Sequence, residues 1–166
     1  MVSIALLSYL ITELNYYEEG IVEMIKYYMN TYTFETKEEL QEAVNLWFED
    51  KEECMKKYGH ISFWDVSKIT DMSNLFSNRI MFNEDISRWD VSNVKDMGYM
   101  FYNCKNFNKN ISNWDIRKVN NMFSMFRECS NFNQDISNWD MSKVRITNNM
   151  FRGCISFNKN LTRWKL

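Results

Sequence analysis

Five tryptophans mark out the later part of the chain at one interval: Trp64, Trp89, Trp114, Trp139 and Trp164 are each 25 residues apart. Phe76, Phe101, Phe126 and Phe151 keep the same period, and so do Asn83, Asn108, Asn133 and Asn158. Whole words recur with them: FNEDISRWDVSNV at 82–94, FNKNISNWDIRKV at 107–119, FNQDISNWDMSKV at 132–144 and a shortened FNKNLTRWKL at 157–166. A period kept without insertions constrains the fold more than any single residue, because such units bury their apolar faces against one another and not alone. Residues that recur are then explained first by stacking. Function is sought at the positions that change.

The apolar spacing inside a unit predicts two elements. In VKDMGYMFYNC, Val94, Met97, Phe101 and Cys104 lie three, four and three apart, one face of a short helix that Ser92 or Asn93 would cap. In DISRWDV, Ile86, Trp89 and Val91 read as a short strand or an extended run with a bend. One strand, one corner, one helix and one return fit 25 residues, so the expected fold class is α/β, a right-handed solenoid. Ahead of the repeats, Thr36 and Glu39 form a capping box, and Leu40, Val44, Trp47 and Phe48 form the buried stripe of a helix covering the first repeat. A turn is expected near Gly59. Residues 3–30 carry the apolar spacing of two helices broken near Gly20. The expected division is therefore an N-terminal helical segment at 1–34, a capping helix and entry turn at 35–60, and the solenoid at 61–166, with four full repeats and a truncated last one.

Charge and composition narrow the function classes. The 22 acids and 20 bases are mixed along the 166 residues and leave a net charge of −2, which offers no basic footprint for nucleic acid and no polybasic membrane anchor. Aromatics at 16% argue against disorder, and with no Pro and four Gly the turns must fall to Asn, Asp and Ser. The opening MVSIALLSYLITELNYYEEG lacks a positive n-region, contains Glu13 and has no small-residue cleavage site, and it is too short and too polar to span a bilayer. It reads as a mature helix. A reducing compartment, intracellular or in a virion, is the expected location.

The motif FNxDISxWDVSxVxxMxxMFxxC resembles the 25-residue repeat of the BspA-type leucine-rich-repeat surface proteins, a repeat also found in mycoplasma lipoproteins, unicellular eukaryotes and large DNA viruses. The likeness covers roughly residues 35–166, and EELQEAV followed by YGHISFWDVSKITDMSNLF resembles the customary entry into the first repeat. It implies an α/β solenoid related to leucine-rich repeats, used for protein interaction or surface display, with no enzyme activity and no catalytic residues to carry over. Four positions depart from the pattern: Arg79 stands in place of Cys, Ile146 in place of Asp, Thr147 in place of Met and Lys165 in place of the Asp of Trp-Asp. The irregular last unit is therefore where the last helix is expected to deviate.

Each candidate site has a plainer structural reading. Asp65, Asp90, Asp115 and Asp140 would stand about 4.8 Å apart if units stack, and like charges so close repel unless something compensates them. Backbone N–H groups at the turn into each helix can do so, and this reading is favoured over a cation held between Asp85, Asp90, Asp135 and Asp140, because cation-binding repeats place their acids in Gly-rich turns. The Asn row is read as satisfying buried turn backbone. Asn110-Ile-Ser and Asn160-Leu-Thr match the glycosylation pattern without a secretory signal to use it. Cys104, Cys129 and Cys154 are expected as buried thiols and Cys54 as the most accessible one. His60, the only histidine, lacks a nucleophile partner and is read as structural. No catalytic group, cofactor or metal is assigned.

Function then rests with the changing positions. These are Arg88, Asn113, Asn138 and Arg163 beside the tryptophans, the row beginning at Tyr99 with Ser124 and Asn149, and the row Lys95, Asn120 and Arg145. Tyr16 and Tyr17 in the N-terminal segment offer a second surface. The expected function is a non-enzymatic protein-interaction or structural repeat protein within a larger assembly such as a virion, with protein partners and self-assembly through an exposed C-terminal repeat edge. Two alternatives accompany it: an adaptor whose N-terminal helices dock elsewhere, and a cell-surface adhesion protein.

Overall fold

The computed structural model describes residues 31–164. The helices expected within 3–30, with Tyr16 and Tyr17, lie outside the described residues, as do Lys165 and Leu166.

Two helices precede the repeats: α1, Lys37–Glu49, and α2, Lys51–Tyr58. Thr36 starts α1 from extended backbone, its hydroxyl accepting the Glu39 N–H at 3.2 Å. The Glu39 carboxylate reaches back one residue further than a capping box requires, accepting from the Glu35 N–H at 3.0 Å and from the Tyr32 hydroxyl. Leu40, Ala43, Val44 and Trp47 fall at i, i+3, i+4 and i+7 and are all buried. The single helix expected here is divided at Asp50, whose φ of −144° and ψ of 89° leave the helical region. Asp50 closes α1 by donating its N–H to the Leu46 carbonyl at 2.8 Å and opens α2 by accepting the Glu53 N–H at 3.0 Å. Gly59, at φ 73°, ends α2 in backbone that favours Gly.

The α/β class and the leucine-rich-like solenoid do not hold. Among the described residues there is no strand and no sheet, only the isolated parallel bridges Thr33 to Asp65, Asp71 to Asp96, Asp96 to Asn121 and Asn121 to Ile146. The described repeats contain no helix either; among the described residues beyond α2 the only helical element is a 3-10 turn at Ile61–Phe63, and the others are bridge, turn and coil. The helix expected over 94–104 is replaced by consecutive turns, in which Met100, Tyr102 and Cys104 donate to the carbonyls of Met97, Tyr99 and Phe101 at 3.0–3.2 Å. The alternate N–H groups leave the unit. Met97, Tyr99, Phe101 and Asn103 donate to Asn121, Phe123, Met125 and Arg127 of the next unit at 2.8–2.9 Å.

A helix sends successive N–H groups to its own chain four residues back, so this division of donors cannot be helical. It requires the backbone to reverse hand twice per unit. Tyr99 and Asn103 have φ of 57° and 58°, and the equivalent Asn74, Asn78, Ser124, Glu128, Asn149 and Gly153 are all positive as well. Each non-Gly residue there costs about 1–2 kcal/mol. Inter-unit hydrogen bonds worth roughly 1 kcal/mol each, with the apolar burial they permit, offset that cost.

The 25-residue period survives as ring-on-ring packing. Phe76 stacks on Phe101, Phe101 on Phe126 and Phe126 on Phe151, with centroids 5.6, 5.6 and 5.8 Å apart. A second row, Phe82, Phe107, Phe132 and Phe157, stacks at 5.6–6.0 Å. Within each unit the two rows meet face to face, at 4.0 Å for Phe76 with Phe82. Such pairs add about 0.5–1.5 kcal/mol each beyond area burial. The rings belong to one continuous core that runs from Phe34 and α1 to Met150.

Candidate interaction surface

The recurring polar residues close bonds that the turns leave open. Trp89, Trp114, Trp139 and Trp164 donate their indole N–H to the carbonyls of Ile61, Ile86, Ile111 and Ile136 in the preceding unit at 2.9–3.3 Å, whereas Trp64 donates to Gly59. Cys104, Cys129 and Cys154 donate to Phe76, Phe101 and Phe126 carbonyls at 2.8–3.0 Å. The side-chain oxygens of Asn83, Asn108 and Asn133 accept the backbone N–H of Asn108, Asn133 and Asn158. This Asn row runs along the surface and not through the core, since Asn83, Asn108 and Asn158 are exposed.

The acidic row is local. Asp65, Asp90, Asp115 and Asp140 each accept the backbone N–H two residues on, at 3.0–3.2 Å, in a tight turn with no helix behind it. Hydrogen bonds from the Ser67 and Ser142 side chains and backbones hold the Asp65 and Asp140 carboxyls below their ordinary value. The Arg117 guanidinium takes Asp115 down to about 2. Among the described residues no three His, Cys, Asp or Glu side chains are placed to hold a metal ion.

Thiol exposure reverses one expectation. Cys54 is fully buried, and desolvation raises its thiol to about 11; of the four described cysteines, Cys154 alone is half-buried. His60 caps the 3-10 turn through Nδ1, which accepts the Ser62 N–H at 3.2 Å, and packs edge-on against Trp47. Desolvation lowers its pKa.

Among the changing positions, Arg88, Asn113, Asn138 and Arg163 are exposed along one side. Arg88 lies 5.5 Å over the Phe63 ring, and the Asn138 amide donates to Ser112 at 3.1 Å. Tyr99 is half-buried against Tyr102 and Phe123, at 5.8 and 5.1 Å. Its equivalent Ser124 is fully buried, while Asn149 is exposed. The row thus marks left-handed backbone before it marks any surface.

The two ends differ. At the first unit α1 lies across the carbonyl edge: Gln41 donates to the Leu75 carbonyl at 3.2 Å, Lys37 to Asp71 and Ser73, and Arg79 to Asn45 while lying over Phe48. At the last unit the donors that earlier units spend on their neighbours, the N–H groups of Thr147, Asn149, Phe151 and Gly153, meet no acceptor among the described residues. The core opens with them. Phe151, Phe157, Leu161 and Trp164 are half-buried where their counterparts are buried, and Ile155 is 86% exposed. An open groove of about 440 Å³ runs between Thr147, Phe151, Leu161 and Trp164. Ile146 and Thr147 do not rotate this unit, since the Ile146 carbonyl still accepts the Met122 N–H at 2.8 Å.

This arrangement defines a repeat protein in which recurring side chains serve the array and one edge is left unsatisfied among the described residues. The chain belongs to the repeat-containing family described as Mycoplasma protein of unknown function, DUF285, whose sequence model matches residues 42–164. No curated protein and no solved structure matches it. Among the described residues no helix is long and apolar enough to cross a membrane.

Proposed function

We propose that the chain is a non-enzymatic interaction module that docks a partner protein onto its last repeat edge. The observation that carries this reading is the row of four N–H donors, at two-residue spacing beside half-buried Phe151 and Trp164, that meet no acceptor among the described residues. The partner it suits presents an extended segment with carbonyls every second residue and apolar side chains to cover the rings, the chemistry by which peptides add to an open backbone edge. The interior unit-to-unit contact uses the same pairing, so the edge continues an interface the chain already makes with itself. The resemblance to BspA-type repeats supports a role in interaction or surface display.

Head-to-tail self-assembly through this edge is disfavoured, because the complementary edge of the first unit already lies against α1. The partner we propose is a different protein. Site-specific photocrosslinking from position 149 or 155 in the native source, with and without Phe151→Arg, tests this. Crosslinks to one protein that disappear in a folded Phe151→Arg variant support the reading; crosslinks that persist unchanged overturn it.

A further inference from the structure

We propose that a concavity on the side of the second to fourth repeats binds a compact multivalent oxyanion, a phosphate or sulfate ester. It is an open hollow of about 600 Å³ lined by Lys95, Arg117, Lys118, Lys143, Arg145 and Asn120, with Ile146 at its edge. Five of the chain's 20 basic residues gather here and no acid lines the hollow, although the net charge of the chain is −2. Backbone register puts them together. Asn120 donates to the Lys95 carbonyl at 2.8 Å and Arg145 to the Asn120 carbonyl at 2.9 Å, so one position in three successive units forms a column. Lys118 and Lys143 hold the same position in neighbouring units, beside that column.

Two of the five cations are engaged. Arg117 grips Asp115 through Nε and Nη2 at 2.8 and 2.6 Å, and Lys118 donates to the Asn93 side-chain oxygen at 2.6 Å. Lys95, Lys143 and Arg145 have no carboxylate or other acceptor for their side chains among the described residues. Of the nearby acids, Asp115 pairs with Arg117, and Asp140 accepts the Ser142 N–H and acts on Arg117; neither pairs with Lys95, Lys143 or Arg145. Lys95 and Arg145, with neutral Asn120 between them, and Lys143 beside the column hold positive charge that no acid in the lining balances, and an anion relieves it. Three free cations around one hollow suit several negative charges on one small molecule. The lining has no aromatic ring on which a nucleobase could stack, which turns the choice away from single-stranded nucleic acid.

Titration of the full chain with sodium tripolyphosphate and, separately, with a fully sulfated heparin-derived tetrasaccharide tests the proposal. Saturable one-to-one binding of at least one probe is expected, weakened at least tenfold by Lys143→Gln with Arg145→Gln, and changed less than twofold by Lys109→Gln with Lys159→Gln away from the hollow. The exposed Lys143 and Arg145 changes are expected to leave the thermal midpoint at or above that of the parent. Preference for one probe assigns the ester class, and equal binding of both supports recognition of clustered charge alone. No saturation by either probe up to millimolar concentration overturns the proposal, as does an equal loss in the two double variants.

Discussion

At the first unit, Gln41 reaches the Leu75 carbonyl and Arg79 is held between Asn45 and Phe48; at the last, Phe151 and Trp164 are half-buried and four N–H groups meet no acceptor among the described residues. The residues are nearly the same words of sequence in both places. What differs is the neighbour, and the comparison teaches that a unit of this kind gains its order from what lies on each side of it. Phe101 and Phe126, with a unit on either side, are fully buried, and Phe151, with one, is not.

The sharpest way to break this contrast is to remove the same ring from the middle and from the edge. Phe101→Ala is expected to cost about 3–5 kcal/mol, as for a buried aromatic, and Phe151→Ala less than half of that. Urea unfolding of the two variants measures it, and equal losses would erase the distinction. Alkylation of the native chain gives the next largest effect. Cys154, half-buried and raised to about 11, should react at least tenfold faster than Cys104, buried and raised to about 12. Peptide mapping over time would show the order, and labelling of Cys54 first would contradict it.

At the capped end, Asp50→Ala removes the residue that closes one helix and opens the next, with an expected loss of roughly 1–2 kcal/mol in thermal or urea stability. Near the open end, Glu128 sits at φ 64° in the row that Asn78, Asn103 and Gly153 otherwise occupy. Glu128→Gly should stabilise by about 0.5–1 kcal/mol, because Gly adopts this backbone without steric cost. A lower unfolding midpoint would refute the strain reading. The smallest effect concerns His60. Its folded pKa is lowered by burial, so the unfolded chain binds the proton more readily; stability is present above about pH 6.5 and declines as pH falls toward the folded value. Denaturation midpoints from pH 7.5 to 5.5 should fall in the parent and flatten in His60→Asn.

The period, the Phe and Trp rows and the cap by α1 were legible because identity and spacing both point to packing. The secondary structure of the repeats was not. Val94, Met97, Phe101 and Cys104, at intervals of three and four, suit a helix face and a run of i to i+3 turns equally well, and their burial is the same in either. The discriminating signal was present in Asn74 with Asn78 and Asn149 with Gly153, pairs four apart of residue types that accept left-handed backbone, and in Asn103; Tyr99, Ser124 and Glu128 hid it in the units between. Asp50 divides one expected helix because it satisfies both helix ends at once, which periodicity does not register. The basic hollow was invisible for another reason. Lys95, Lys118, Lys143 and Arg145 are spread over 51 positions among acids, and only the register between units turns them into one surface.

Residue-resolved amide hydrogen exchange on the isolated chain tests the unit-to-unit pairing most directly. Tyr99, Phe101, Ser124 and Phe126, whose N–H groups are bound to the next unit, should be protected at least a hundredfold more than Asn149, Phe151 and Gly153, while Met150, Arg152 and Cys154, bonded within their own turns, fall between. Protection of Phe151 and Gly153 equal to that of Phe101 and Asn103 would contradict the open edge and, with it, the docking surface.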